Sequence, residues 1–202
     1  MSKLKFTFYL FSFIITSTFL GIGFAYYVGS NLPDRISLTQ SKSYEAEKDL
    51  IWMALLDIEN YPLWKPNLKS VEMLGTNDLG FTKWIEHYGL GKSISYEISE
   101  YIPKSLIEIK ITSSKKAAKG VWIYKLSNYQ DRGVLQIKRF AIVSSKIDRF
   151  NRRWIDTKYN EVDFQLMSLN NYLNQLLDDQ DELKEIMMPD SVENNEMIPT
   201  ES

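Results

Sequence analysis

Cysteine is absent from the 202 residues of the chain, and histidine occurs once, as His87. The absence of cysteine excludes disulfides, thiolate ligands for zinc or iron–sulfur clusters, a thiol nucleophile and a lipid anchor on an N-terminal cysteine. A single histidine argues against an imidazole-rich metal site and against most catalytic arrays that depend on histidine. We therefore expect neither a metal site nor a bound cofactor.

A strong excess of charge of one sign is also missing. The chain has 24 Lys and Arg residues and 26 Asp and Glu residues, which gives a formal net charge of -2. Domains that bind nucleic acid are usually strongly basic, so we expect no nucleic-acid partner. The common catalytic and nucleotide-binding motifs are missing as well. Gly91-Lys92-Ser93 resembles the end of a P-loop, but Glu86 occupies the position of the glycine that this motif requires. We therefore assign no catalytic residue.

One segment lacks charge entirely, running from Phe6 to Val28. A helix rises about 1.5 Å per residue, so a helix over this run would cross a hydrocarbon core of about 30 Å. Tyr9 near one end and Tyr26 near the other suit the two interfacial zones of a bilayer. We therefore expect residues 1–29 to form an uncleaved transmembrane helix, which would make the chain a single-pass membrane protein.

The alternative for this segment is a cleaved signal peptide, whose apolar region is usually about 7–15 residues long and ends at small residues. The run here is longer, and Gly23-Phe24-Ala25 is a poor match to a cleavage site. Lys3 and Lys5 precede the helix, and the cytoplasmic flanks of membrane helices carry an excess of Lys and Arg. We expect a cytoplasmic N-terminus, a linker over residues 30–35 and an extracytoplasmic domain beyond it.

The pattern beyond the linker predicts strands and helices in a definite order. Ile36 to Tyr44 alternates apolar and polar residues as a strand does, and Glu45 to Asp57 has the apolar spacing of a helix. Ile58 to Pro66 holds two prolines and two large aromatic residues, which predicts a tight turn or a short helix. Further alternating segments, separated by turn residues, predict an antiparallel meander. These segments are Ser70–Leu74, Phe81–Tyr88, Lys92–Tyr101, Ser105–Ser113, Val121–Leu126 and Val134–Val143.

The last periodic segment runs from Lys146 to Leu177. Its apolar residues recur at three- and four-residue steps, with one gap around Thr157 and Lys158, and predict one long helix. Residues 178–202 are acidic and polar with little periodicity, so we expect a flexible tail there. The predicted fold class is α+β, with a curved antiparallel sheet of about seven strands wrapped around the long C-terminal helix. Residues 36–177 would form one domain with a hollow between the sheet and the helix.

Short motifs occur in a recognisable order between Ile36 and Leu177. They are Asp57, Tyr61, Pro62, Trp64 and Pro66; Tyr96, Glu97, Ile98, Glu100 and Pro103; Gly120, Trp122, Tyr124 and Leu126; and Tyr172, Leu173 and Leu176. In this order they resemble the START-like, or polyketide cyclase/dehydrase-like (SRPBCC), superfamily. The resemblance implies a helix-grip fold and a deep, mostly apolar cavity beneath the long helix. It does not choose a function, because this superfamily carries binding, transfer and catalysis on one scaffold.

Strand alternation indicates which side chains would face such a cavity, since neighbouring residues of a strand point to opposite faces. The residues expected to line it are Trp64, Trp84, Ile94, Tyr96, Ile98, Ile109, Trp122, Tyr124 and Trp154. An apolar cavity with a few phenol and indole donors suits a lipid, quinone, sterol-like or polyketide-like ligand. The alternative for each of these residues is that it packs in a filled core.

Candidates for acid–base chemistry and for charge recognition are few. Glu86 and His87 are adjacent on a predicted strand and point to opposite faces, which prevents their direct cooperation. Arg139, on the last strand, would either bind a buried carboxylate or a ligand head group or lie exposed. Basic groups in one loop and in the last helix would contact anionic lipid or lie in solvent. Their members are Lys115, Lys116, Lys119, Arg149, Arg152 and Arg153.

We therefore expect the domain to bind a hydrophobic small molecule or lipid at the membrane without catalysis, with burial of the ligand as the mechanism. One alternative is a cyclase- or dehydrase-like enzyme that draws an acid or base from Glu86, His87, Arg139 and the cavity tyrosines. The other alternative is a tethered module that binds a protein partner through its surface or its acidic tail.

Overall fold

A computed structural model describes residues 3–114, 119–130, 132–154 and 161–187. Its centre is a seven-stranded antiparallel sheet with the strand order β1-β7-β6-β5-β4-β3-β2, and the predicted α+β fold class is confirmed. The strands are β1 (Arg35–Tyr44), β2 (Leu68–Thr76), β3 (Thr82–Tyr88), β4 (Ser93–Ile102), β5 (Leu106–Ser114), β6 (Lys119–Tyr129) and β7 (Arg132–Ile142). The meander from β2 to β7 is therefore completed by β1, which pairs with the last strand and forms one edge.

Each strand turns one face toward the interior of the domain. In β7, Leu135, Ile137 and Ala141 are buried, while the residues between them on the outer face are exposed or half-buried. Register shifts interrupt the pairing of β2 with β3 and of β4 with β5. Because β-bulges of this kind increase the twist and bend of a strand, they help the sheet to curve around its inner face.

Helices close the inner side of the sheet and extend beyond it. They are α1 (Lys3–Asn31), α2 (Lys48–Leu56), α3 (Tyr61–Trp64), α4 (Lys146–Trp154) and α5 (Glu161–Met187). α5 buries Val162, Leu166, Leu169 and Leu173, whose three- and four-residue spacing places them on one helix face. The hydroxyl of Tyr44 donates a hydrogen bond of 3.1 Å to the carbonyl oxygen of Leu166, which joins the end of β1 to α5.

The C-terminal helices differ from the sequence prediction. One helix is predicted from Lys146 to Leu177, whereas the structure has α4 and α5 on either side of residues 155–160, which lie outside the described residues. α5 also continues to Met187, so the first part of the predicted tail is helical. The sequence Leu183-Lys184-Glu185 has high helix propensity, which explains why acidic composition alone does not end the helix. Residues 188–202, the rest of that tail, lie outside the described part of the chain.

α1 is an apolar helix whose large side chains are exposed. Over Lys5–Asn31 it is long and apolar enough to cross a membrane, judged by length and composition, and a signal sequence would meet the same criterion. α4 packs against the C-terminal half of this helix. The rings of Phe24 and Phe150 meet edge to face with their centroids 6.2 Å apart, and Lys146 Nζ donates a hydrogen bond of 2.9 Å to the Tyr26 hydroxyl.

Candidate functional site

A charged pair lies inside the domain, beneath the inner face of the sheet. β3 alternates Trp84, Glu86 and Tyr88 toward the interior, and Glu86 is 0% exposed. Lys65 follows α3, and its backbone N–H donates to the carbonyl oxygen of Tyr61 as the short helix ends. This turn brings Lys65 Nζ to 2.5 Å from Glu86 Oε1, so the two buried side chains form an ion pair.

Neighbouring donors complete the surroundings of the Glu86 carboxylate. The Tyr88 hydroxyl donates to Oε2 at 2.5 Å, and Trp84 Nε1 donates to Oε1 at 3.2 Å. The Lys65 ammonium lies 4.0 Å from the centroid of the Tyr61 ring, where the negative face of the ring attracts a cation. Both charges are therefore held by hydrogen bonds and an aromatic face in place of water.

This pair is costly to bury, although it is well hydrogen-bonded. Burial lowers the pKa of the Lys65 ammonium, and the Glu86 carboxylate raises it by less, so the pKa stays below its ordinary value. Removing each charge from water costs several kcal/mol even after relaxation, and buried pairs often contribute no more stability than well-packed apolar residues. A buried ion pair in which the pKa of the lysine is lowered is therefore a candidate for a functional role.

Arg139 is a second buried charge, on the inner face of β7. The residue is 6% exposed, and its guanidinium carbon lies 4.7 Å from the ring centroid of Trp122. One terminal nitrogen pairs with Glu161 at the start of α5. Among the described residues, Arg139 Nε has no hydrogen-bond partner. Burial and then the charge of Arg152 lower the pKa of Arg139 to about 10, which leaves it charged at neutral pH.

Buried tyrosines lie within range of both charged groups. Burial raises the pKa of Tyr61, Tyr96 and Tyr124 above the ordinary value, so their hydroxyls are neutral at physiological pH. The charges of Glu86 and Arg139 both act on Tyr96 and Tyr124. The Tyr124 hydroxyl donates to Gln165 Oε1 of α5 at 3.2 Å. The interior thus combines an apolar and aromatic surface with fixed charges and neutral hydroxyl groups.

The structure buries the predicted lining residues whose side chains it describes. The residues Trp64, Trp84, Ile94, Tyr96, Ile98, Ile109, Trp122 and Tyr124 are at most 7% exposed. Trp84 stacks on Tyr96 with a centroid distance of 5.6 Å. Trp154 is the last residue of α4, and its side chain lies outside the described part of the chain. Burial is common to a filled core and to the wall of a ligand cavity, so the lining role stays a prediction.

The charged pair was not predicted from the sequence. The sequence suggests Glu86 as a possible acid or base but gives no reason to pair it with Lys65. The alternation of Glu86 with Trp84 is the signal that places it on the inner face. His87 does face the opposite side of β3, where its ring hydrogen-bonds the side chains of Ser93 and Glu72 at 2.9 and 3.2 Å.

Other features of the described residues add no further chemistry to this interior. They include no group of three or more His, Asp or Glu side chains that could hold a metal ion. A separate depression of about 460 Å³ lies at the end of the sheet where β1 begins, shortly after α1. Neither Glu86 nor Arg139 lines it. Its lining includes Phe140, Ile142 and Lys119. Lys115 and Lys116, from the same predicted basic group as Lys119, lie outside the described residues.

Comparison with known proteins supports the predicted resemblance. Residues 35–155 match the model of a family described as polyketide cyclase / dehydrase and lipid transport. No curated protein matches the sequence.

Solved structures with similar folds come from several bacteria. Zhui aromatase/cyclase from Streptomyces sp. R1128 has a TM-score of 0.61 and 12% identity, over 71% of this chain and 96% of that one. A START superfamily protein from Mycobacterium smegmatis has a TM-score of 0.57 and 14% identity, over 69% and 98%. The protein XoxI from Bacillus cereus has a TM-score of 0.53 and 13% identity, over 69% and 96%. At these identities the likeness shows the fold alone.

Proposed function

The chain belongs to the polyketide cyclase / dehydrase and lipid transport family, and from this premise we propose that it binds a hydrophobic ligand bearing a polar group, without catalysis. The ligand lies between the inner face of the sheet and α5. The observation that carries the proposal is the buried Lys65–Glu86 pair within a mostly aromatic and aliphatic interior. Ligand sites of this kind combine apolar walls with a small number of placed polar groups.

A filled core gives a buried ion pair no advantage in stability over well-packed apolar residues of similar size. A filled core is built most economically from aliphatic and aromatic residues, because each buried charge or hydroxyl must find a partner. Here one interior holds Lys65, Glu86 and Arg139 together with several tyrosines. Fixed charges and neutral hydroxyls instead suit a ligand whose polar group must be oriented while its apolar part is buried.

We place this binding at a membrane. α1 exposes its apolar side chains along its length, and such a surface is stable only in lipid or against another apolar partner. Lys146 and Arg149 of α4 lie beside the C-terminal end of α1, where Arg149 donates a 3.1 Å hydrogen bond to the carbonyl oxygen of Leu32. Basic side chains at this level suit the head-group region of a bilayer. Lys3 and Lys5 favour a cytoplasmic N-terminus and an extracytoplasmic domain.

A cyclase- or dehydrase-like activity is the second candidate. The observation that favours it is the set of donors in the interior, since Arg139 and the neutral hydroxyls of Tyr96 and Tyr124 would stabilise an enolate oxygen. Lys65 is held by Glu86 at 2.5 Å, so neither of these two is a free general base in this arrangement. Conversion of a co-purified ligand by the chain, detected by mass spectrometry, would favour this candidate over simple binding.

The test of ligand binding uses the full chain purified in a mild detergent, native mass spectrometry and organic extraction of bound material. We compare wild type with two variants. Ile109→Trp places an indole ring on the inner face, and Ile123→Trp places one on the outer face of the neighbouring strand. Wild type and the outer-face control should carry a stoichiometric hydrophobic adduct. Ile109→Trp should lose the adduct and unfold at the midpoint of delipidated wild type, because the ring enters space that the ligand otherwise fills and a bound ligand itself raises the midpoint.

A filled core gives the opposite result in the same experiment. Extra atoms in a well-packed core typically cost about 1–3 kcal/mol, so Ile109→Trp would then unfold at a clearly lower temperature than Ile123→Trp. That outcome, together with an adduct-free wild type, would contradict the proposed function and turn attention to a protein-interaction role.

A further inference from the structure

Arg139 is buried but incompletely partnered. Its only ion-pair partner among the described residues is Glu161, whose side chain is 52% exposed and therefore shared with solvent. Within the same described part, the Nε donor has no acceptor, although an unpaired buried donor usually costs about 1–3 kcal/mol. The guanidinium lies over Trp122, so its remaining donor is held in a definite direction in the interior. This arrangement leaves a position for an acceptor that the described side chains do not fill.

Two further cations lie within electrostatic range of Arg139. Lys92 lies in the turn before β4, with Nζ 5.1 Å from the ring centroid of Tyr88. Burial lowers the pKa of Lys92 first, and the charges of Arg139 and Arg152 lower it further. Among the described residues, no carboxylate forms an ion pair with Lys92 or Arg152. Within the described part, Glu161 is the one carboxylate that pairs with any of these three cations. The cations therefore repel one another, and a further anion among them would relieve this repulsion.

The cation cluster (Lys92, Arg139 and Arg152) lies beside apolar surface and close to α1. Trp122 beneath Arg139 stacks on Tyr124, which leads from the cluster along the inner face of β6. Arg152 belongs to α4, and the same helix contacts α1 through Phe150. An amphiphile with its head group in the cluster would therefore place its chain along the aromatic inner face and its charge at the side of the domain next to α1.

We propose that the ligand is an amphiphile with an anionic head group, a carboxylate or a phosphate, which Arg139, Lys92 and Arg152 bind while its hydrocarbon chain lies in the interior. This inference rests on the proposed function and specifies its ligand class. The anionic oxygen accepts from Arg139 Nε and balances the cluster. A neutral lipid alcohol of the same chain length lacks this charge and binds more weakly.

The test uses the full chain in nanodiscs of phosphatidylcholine and three ligands with the same hydrocarbon chain: palmitate, hexadecyl phosphate and 1-hexadecanol. Wild type should bind at least one anion about 10- to 100-fold more tightly than the alcohol, because hydrogen bonds between charged groups contribute more than neutral ones. Arg139→Met should lose most of this preference. Lys138→Met is the matched control, since this neighbour lies on the outer face of the same strand, and it should keep the preference.

Several outcomes separate this inference from the function on which it rests. Equal binding of the alcohol and both anions by wild type would overturn the anionic head group while hydrophobic binding stands. Binding of none of the three would contradict the proposed function as well. Displacement of palmitate by inorganic phosphate alone would overturn the amphiphile, because it would indicate a simple anion site. If a thermal scan of Arg139→Met shows no unfolding transition, Lys92→Gln and Arg152→Gln are tested in its place. If both of these variants keep the full preference for anions, the cation cluster does not bind the head group.

Discussion

At the scale of single residues, the fold depends on keeping Lys65 and Glu86 together. Truncating one partner of a buried ion pair leaves the other charge in the interior without compensation, at a typical cost of about 3–5 kcal/mol. For a chain of this size such a loss lowers the thermal midpoint by about 6–20 °C. We expect Lys65→Met to show this loss in a thermal scan of the full chain in detergent, followed by circular dichroism.

The double variant Lys65→Met/Glu86→Leu is the informative companion. It removes both charges and replaces them with apolar side chains of similar size, so we expect it to regain most of the midpoint lost in Lys65→Met. It should stay below wild type by the cost of the Tyr88 and Trp84 donors that no longer have an acceptor. Its binding of a hydrophobic ligand should nevertheless be impaired, because the inner wall loses the placed charges that the proposed function assigns to it. The preference for an anionic head group, which depends on Arg139, should remain. A double variant as unstable as the single one would show that the pair stabilises the fold directly, and our functional interpretation of the pair would fail.

The inward position of Glu86 follows from the sequence, but its role does not. Alternation with Trp84 along β3 places the carboxylate on the inner face, by the same rule that places Ile94 and Trp122 there. Lys65 compensates the negative charge of the buried Glu86 carboxylate, although it lies 21 residues away in sequence. It reaches the carboxylate because α3 packs beside β3. Local patterns predict faces, whereas the pairing of charges depends on tertiary packing that those patterns do not contain.

At the scale of elements, the contact between α1 and α4 is the most sensitive to a small change. A side chain added at Gly29 would meet the backbone carbonyl of Lys146 in α4, whereas nothing lies within 4 Å of an equivalent position at Gly21. We expect Gly29→Leu to separate α4 from α1 and to increase hydrogen exchange in α4, measured by mass spectrometry of the full chain in nanodiscs. Gly21→Leu is the matched control on the same helix and should leave exchange in α4 unchanged.

This substitution also has a consequence for the cation cluster, because Arg152 lies on α4. Displacing the helix should weaken the preference for anionic over neutral amphiphiles in the same direction as Arg152→Gln. Equal exchange in α4 for Gly29→Leu and Gly21→Leu would contradict the packing of α4 against α1.

The elements themselves follow largely from periodicity, and the exceptions have physical reasons. Strands of the sheet agree with the predicted segments because turn residues such as Gly89 and Gly91 separate clean alternations. The end of α5 at Met187 is missed because an acidic stretch with high helix propensity looks like a tail when hydrophobic periodicity is the main signal. Likewise, the apolar pattern has one gap around Thr157 and Lys158, and such a gap is compatible with one helix as well as with two. Periodicity alone therefore does not show that the first helix ends at Trp154.

At the scale of the whole molecule, α4 joins two parts with different environments. One side of α4 contacts α1, and near its C-terminal end Arg152 lies within electrostatic range of Arg139. The linker after α1 is tied to the domain as well, since Val143 N–H donates a 2.8 Å hydrogen bond to the carbonyl oxygen of Asp34. The domain is therefore docked on α1 in a definite orientation, with the cation cluster on the side of the proposed bilayer. This arrangement suits direct passage of an amphiphile between the bilayer and the interior.

A flexible insertion tests whether this docking matters for ligand uptake. About ten Gly and Ser residues placed between Leu32 and Pro33 would let the domain move away from the membrane while keeping it tethered, since such linkers behave as random coils. We expect slower uptake of a fluorescent fatty acid from vesicles into the full chain, measured by stopped-flow energy transfer. The affinity for the same fatty acid delivered from detergent should not change, because the interior is intact.

The matched control places the same insertion between Asp78 and Leu79, in the turn that joins β2 to β3 at the opposite end of the sheet from Lys92. This variant should take up the fatty acid at the wild-type rate, which would exclude a general effect of added chain length. If both insertions leave uptake unchanged, the ligand reaches the interior through water and the docked orientation has another purpose. If only the insertion after Leu32 slows uptake, the packing of α4 on α1 sets the route by which the ligand enters.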